Sequence, residues 1–182
     1  LGYGDDARVQ RASQWLTQVQ NGDGGWLCPY WSAHVRDTHS CMYGTIAALE
    51  AFAALPYDRR PPAMERAIAR GAEFLLMHHL YRADHHDMAT ISPDWLALRF
   101  PWFYGYDILR GLWVLNQLGY FVSEEPRMAD ALGVLAGKMT PLGLWPLEKA
   151  PEGRMWASLE RKGAPSKWIT LKALWVMANT LD

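Results

Sequence analysis

Apolar positions recur along the chain at helical spacing, in two patterns that alternate. Stretches near residues 5–20, 62–80 and 126–139 carry Asp, Arg, Glu or Lys on one face and Ala, Val, Leu, Met or Phe on the other. This predicts amphipathic helices with one solvated side, the outer helices of the fold. Stretches near 41–55, 104–118 and 166–180 are apolar almost all round, keeping only Glu50, Asp107, Arg110, Lys167 and Lys172 among their charges. Helices of that kind are expected to be buried between neighbours, as an inner layer. Pro61-Pro62 and Pro126 stand where outer helices should begin, and Gly119 where an inner one should end. The predicted class is all-α.

The alternation is also an internal repeat. A shift of 119 residues places Arg8 on Arg127, Ala12 on Ala131, Leu16 on Leu135, Gly24 on Gly143 and Trp26 on Trp145. Among the inner helices, Thr45–Leu49, Ile108–Leu112 and Thr170–Leu174 align without gaps. The chain therefore reads as three helical hairpins, about 1–56, 57–119 and 120–182, in a single domain. Its opening Leu1-Gly2-Tyr3-Gly4 repeats Leu118-Gly119-Tyr120, which follows an inner helix, and is neither a Met start nor a signal peptide. The chain is expected to be the C-terminal part of a longer one.

The connections are lopsided. Inner-to-outer turns at 56–61 and 119–125 are short, whereas outer-to-inner connections occupy 21–40, 81–103 and 140–165, far beyond the usual loop of about 4–6 residues. The long connections hold Trp26, Trp31, Trp95, Trp102, Trp145 and Trp156, six of the ten tryptophans. Long loops gathered at one end of a rigid scaffold are where binding and chemistry concentrate.

Composition narrows the function classes. With 182 residues, 50% hydrophobic and 20% charged, the chain is long and apolar enough for a core, and disorder is excluded. A net charge of -1 gives no electrostatic reason to expect nucleic acid. No run of about 18 uncharged apolar residues is present to span a membrane. Two cysteines, Cys28 and Cys41, are too few for a disulfide framework. The compartment is left open, with the cytoplasm as the default expectation.

Gln20-Asn21-Gly22-Asp23-Gly24-Gly25-Trp26, following an amphipathic helix, resembles the Gln-Trp repeat of squalene-hopene cyclases and their relatives. The string from Cys28-Pro29-Tyr30-Trp31 to Arg36-Asp37-Thr38-His39 is similar to a bacterial branch of the same group. The wider group contains terpenoid cyclases and protein prenyltransferase β subunits, and the resemblance implies an α/α toroid of inner and outer helices. Three hairpins would form half of such a ring. That leaves apolar flanks open, so a homodimer or association with a missing N-terminal half is expected. The implied ligand is an isoprenoid or other hydrophobic small molecule in the toroid cavity.

The group's catalytic signatures are met only in part. Squalene-type cyclases use an Asp-x-Asp-Asp acid motif, whose nearest counterpart is Asp84-His85-His86-Asp87. It lies in a connection, where a solvated loop, an acid or a metal site are the alternatives. Prenyltransferases hold zinc with an Asp and a Cys two residues apart and a His from another helix. Here His39 and Cys41 stand two apart before the first inner helix, but Tyr104, Tyr106 and Lys167 open the later ones. The expectation is no cofactor and an inert Cys41, with zinc at His39 and Cys41 as the alternative.

A further constellation is independent of the resemblance. Arg36-Asp37, Asp107 with Arg110, and Glu160-Arg161-Lys162 with Lys167 bring both charge signs to the three inner-helix starts. They are either mutual ion pairs or a site in which Asp37 or Asp107 is a general acid and Arg36, Arg110 and Lys167 hold an anion such as a diphosphate. Trp31, Trp102, Phe103, Tyr104, Tyr106 and Trp168 supply aromatic faces near the same end, either for a ligand or as loop-locking packing. An isoprenoid enzyme, a non-catalytic lipid or polyprenyl receptor and a structural toroid module are the readings that remain.

Overall fold

The computed structural model describes residues 2–27, 39–151, 153 and 155–179, and among these it is all-helical, with isolated β-bridges but no strand. The helices are α1 (Ala7–Gln18), α2 (Met42–Ala53), α3 (Pro62–Met77), α4 (Ile108–Gln117), α5 (Ala129–Gly137) and α6 (Lys167–Ala178). The chain divides into two compact units, Leu1–Leu75 and Leu76–Asp182, so the division falls inside α3 and not at a hairpin boundary.

In the first unit Trp26 organises the packing. Its backbone N–H donates to the Thr45 hydroxyl at 3.0 Å, its indole N–H to the Leu16 carbonyl at 2.8 Å, and its carbonyl accepts the Cys41 N–H at 3.0 Å. One residue thereby ties the end of α1 to the start of α2. The ring meets Phe52 edge-on at 5.9 Å and rests on Gly71 of α3, where an added Cβ would lie 2.6 Å from the indole. Gln20 closes the turn, its amide donating to the carbonyls of Gly24 and Ala67 at 2.6 and 2.8 Å. Gly24 is needed for two reasons: its φ is +95°, and a Cβ there would lie 2.6 Å from the Arg70 carbonyl. Ile46, Leu49 and Phe52 of α2 are fully buried, whereas α1 buries none of its residues completely.

The second unit repeats this arrangement. Trp145 donates its backbone N–H to the Thr170 hydroxyl at 3.0 Å and its indole N–H to the Leu135 carbonyl at 2.7 Å, and its carbonyl accepts the Ser166 N–H at 2.8 Å. Each of these partners occupies the position of its counterpart around Trp26. The helix caps correspond as well: Cys41 Sγ accepts the Gly44 N–H at 3.2 Å and Ser166 Oγ accepts the Ile169 N–H at 3.1 Å. Helix α4 lies against both α5 and α6. It buries Ile108, Leu109, Leu112, Val114 and Leu115, each contributing about 1.5–3 kcal/mol.

The middle inner helix departs from the gapless alignment. Its N-cap is Asp107, which accepts the Arg110 N–H at 2.8 Å, so Gly111, not Ile108, takes the position held by Thr45 and Thr170. The aromatic tie changes accordingly: the Tyr106 hydroxyl donates to the Leu80 carbonyl at 2.7 Å, and a Cβ at Gly111 would lie 2.6 Å from that hydroxyl. The expected inner–outer distinction fails for α6, which exposes Trp168, Leu171, Leu174 and Trp175.

Candidate functional site

The connection into α4 is folded by Asp107. Its Oδ2 accepts the backbone N–H of Arg99 at 2.8 Å and the Trp102 indole N–H at 3.2 Å, while Oδ1 caps the helix. The carboxyl is completely buried, and burial pushes its pKa up to about 6 against the pull of these hydrogen bonds. Arg110 holds the outer part of the same loop, its guanidinium donating to the carbonyls of Gly105 and Phe103 at 2.7 and 3.3 Å and lying 5.8 Å from the Trp102 ring. Phe103 adopts a left-handed φ of 44° with its side chain 65% exposed. Such a conformation costs on the order of 1–3 kcal/mol for a non-glycine residue.

The connection from α5 to α6 pairs with this loop. The Leu98 carbonyl accepts from the N–H groups of Glu148 and Lys149, both at 3.0 Å, and the Glu148 carboxylate accepts the Leu98 N–H at 2.8 Å. Glu148 is fixed in turn by Lys138 at 2.7 Å. Arg99 and Lys149 are thereby bridged in parallel, side by side, and Lys149 also pairs with Asp94. Together with Trp102 and Tyr104 they line a cleft of about 330 Å³. A second cavity of about 200 Å³ shares Pro101, Ala150 and Pro151 with it and is lined further by Phe100, Leu147, Met155, Leu159 and Glu160. Phe100 stacks on Trp168 at 5.4 Å.

An aromatic cluster stands nearby on α4 and α6. Lys172 Nζ lies 4.6 Å from the Trp102 ring and 4.1 Å from that of Trp113, and Trp113 is 5.7 Å from Trp175. The faces of Trp102 and Trp113 thus already carry a cation.

The sequence-predicted residues sort as follows. Trp31, Arg36 and Asp37 lie outside the described residues. Trp102 and Tyr104 line the cleft. Trp168 joins its neighbourhood through Phe100, and Lys167 lies over Trp168 at 5.6 Å. Tyr106 does not line it: the side chain is in the core, held by Leu80. Asp107 is beneath the cleft wall as a helix cap, with its oxygens turned to three N–H donors, and Arg110 binds the loop from behind. Cys41 is a free thiol capping α2. Asp84 faces His78 and His85 at 3.6 and 3.2 Å. No group of three or more His, Cys, Asp or Glu able to hold a metal occurs among the described residues.

Arg99, Lys149 and Glu148 went unread in the sequence. They sit in long connections without periodicity, and only the Leu98 pairing joins them. A larger cavity lies elsewhere: a groove of about 740 Å³ in the first unit, between α1 and the 55–64 segment. Gln10, Ser13, Gln14 and Thr17 face it, with the Asp5–Arg59 ion pair at its margin. It offers no chemistry comparable to the cationic and aromatic cleft. No helix among the described residues is long and apolar enough to cross a membrane. Comparison of the chain with known protein families, curated proteins and solved structures returns no match.

Proposed function

We propose that this chain is a terpenoid cyclase/prenyltransferase-like module of α/α-toroid type, and that it binds an isoprenoid or similar hydrophobic small molecule in the cleft of its second unit. The observation that carries the reading is a pair of cavities that share Pro101, Ala150 and Pro151, one of about 330 Å³ lined by Trp102 and Tyr104 and one of about 200 Å³ lined by Phe100, Leu147 and Met155. Their mixed apolar, aromatic and polar lining is that of a small-molecule site. The Trp26 and Trp145 clamps support the scaffold part of the reading, since each gives a Gly-Trp turn the same tying role that the Gln-Trp likeness implies.

Binding is favoured over cyclisation. A cyclase acid must reach its substrate, but Asp107 is completely buried and engaged by three donors. Aromatic faces that would stabilise a carbocation are occupied by Lys172. Association is part of the proposal, as a homodimer or with a preceding segment, supported by the exposed Leu171, Leu174 and Trp175 of α6. A native mass spectrum in the presence of geraniol tests the reading. One ligand per chain, without conversion of geraniol, squalene or geranyl diphosphate on incubation, supports it; a chain that retains no hydrophobic ligand overturns it.

A further inference from the structure

One packing contact recurs between neighbouring hairpins, and its two halves are both left open elsewhere on the chain. In the first unit the turn after α1 and the buried face of α2 seat on α3, the next outer helix. Arg70 donates to the carbonyls of Asn21 and Gly22 at 2.8 and 3.2 Å, and a Cβ at Gly71 would lie 3.0 Å from Leu49. In the second unit α4 likewise lies against α5. The counterparts around α6 have no such helix among the described residues. A Cβ at Gly143 would meet nothing within 4 Å, whereas the same addition at Gly24 would strike the Arg70 carbonyl. Counted from the N-caps Cys41, Asp107 and Ser166, Ile46 and Leu112 correspond to Leu171, and Leu49 and Leu115 to Leu174. The first four are fully buried, but Leu171 and Leu174 are 58% and 50% exposed. The converse gap lies on α1. Aligning Arg11–Leu16 with Arg70–Leu75 places Arg11 on Arg70, Ala12 on Gly71 and Trp15 on Phe74. Gly71 and Phe74 are buried, whereas Arg11, Ala12 and Trp15 are exposed, Trp15 by 54%. The equivalent of Ala12 in α5, Ala131, is fully buried, so this position accepts a methyl group at the contact.

We infer that the exposed face of α6 is covered by α1 of a second copy of this chain, head to tail, in the way that α3 covers α2. The occupant is a second copy because both unmatched halves of the contact stand on the same chain and correspond position by position to the halves that are matched within it. Ala12 and Trp15 of one copy would lie on Leu171 and Leu174 of the other, removing apolar surface from water on both. Arg11 would reach the carbonyls of Thr140 and Pro141, which take the places of Asn21 and Gly22. Two different surfaces meet, so the contact is heterologous and the number of copies is set by where it closes. This deepens the association in the proposed function and rests on that reading, but is independent of the ligand.

The test is sedimentation velocity of the intact chain and of two surface variants at micromolar concentration. Leu171→Glu with Leu174→Glu blocks the α6 face, and Ala12→Glu with Trp15→Glu blocks the α1 face. The native chain is expected to self-associate, and each double variant alone to sediment as a monomer. Their equimolar mixture should form a mixed dimer, because it retains one intact α6 face and one intact α1 face. An interface of either face with itself predicts the reverse: one variant would associate alone, and mixing would add nothing. Arg11→Glu is expected to weaken association at least about tenfold, as loss of hydrogen bonds from a charged donor requires. Should a double variant fail to fold by circular dichroism, the native chain and Arg11→Glu still decide. A monomeric native chain, a double variant that associates alone, a mixture that does not pair, or unchanged association in Arg11→Glu overturns the inference. The monomeric result also removes the homodimer from the proposed function, whereas association that survives in the variants keeps the homodimer and overturns only its head-to-tail form. Neither result alters the ligand reading, which geraniol binding tests.

Discussion

The backbone N–H of Trp145 donates to the hydroxyl of Thr170 at 3.0 Å, a bond reproduced at the same length between Trp26 and Thr45. In both places the threonine stands four residues after the helix cap, so its hydroxyl reaches back to an N–H that the incoming connection would otherwise bury without a partner. The expected outcome of Thr170→Val, which keeps the shape and removes the acceptor, is a loss of about 1–3 kcal/mol. Thr170→Ser retains the acceptor and should recover part of that loss. Urea unfolding of the two variants reads the difference.

Glycines in the two units should respond with opposite signs to one methyl group. At Gly71 an added Cβ would lie 2.6 Å from the Trp26 ring, whereas at Gly133 of α5 it meets nothing within 4 Å. Gly71→Ala is expected to cost about 1–3 kcal/mol through overpacking. Gly133→Ala should stabilise by about 0.5–1 kcal/mol, because alanine restricts the unfolded chain and favours helix. Thermal unfolding distinguishes them.

Asp107 makes stability depend on pH. Its folded pKa of about 6 lies above the ordinary 3.8, so the native state holds this proton more tightly than the unfolded chain does. Its contribution is therefore fully present below pH 3.8 and is lost as pH rises through 6. Over that window the shift is worth about 3 kcal/mol. Asp107→Asn has no proton to lose, but its amide N–H faces the Arg99 and Trp102 donors, so it should be destabilising at every pH. The stability gap between the native protein and the variant is expected to widen as pH falls from 7 to 4. A gap independent of pH would contradict the account.

Cys41 acts as a cap, and Ser166 shows that a hydroxyl performs the same role in the repeat. Cys41→Ser should leave stability unchanged or slightly raised, and Cys41→Ala should cost about 0.5–2 kcal/mol. Metal analysis of the purified protein is expected to show no zinc that depends on Cys41. One zinc per chain, lost in Cys41→Ala, would overturn the capping account.

Much of the fold was legible because its signals are local. Helical periodicity located the six helices, Pro62 and Pro126 marked two starts, and the Trp26/Trp145 correspondence identified the repeated clamp. The register of α4 was missed, because the apolar run alone slides freely and only the Asp107 cap sets it. Asp107 was rightly placed at an inner-helix start, yet an Asp immediately before a helix is a capping preference before it is an acid. The cleft was least legible. Trp102 and Tyr104 stood out as aromatics, but Arg99 and Lys149 meet through a pairing of residues fifty apart in sequence, which no spacing rule records.

The central claim is tested most directly by photo-crosslinking with a diazirine-bearing geraniol analogue, followed by peptide mapping of the labelled residues. The account predicts adducts confined to the 99–105 and 147–160 segments, competed away by unlabelled geraniol. Labelling concentrated in the 740 Å³ groove beside α1, or spread without competition, would contradict it.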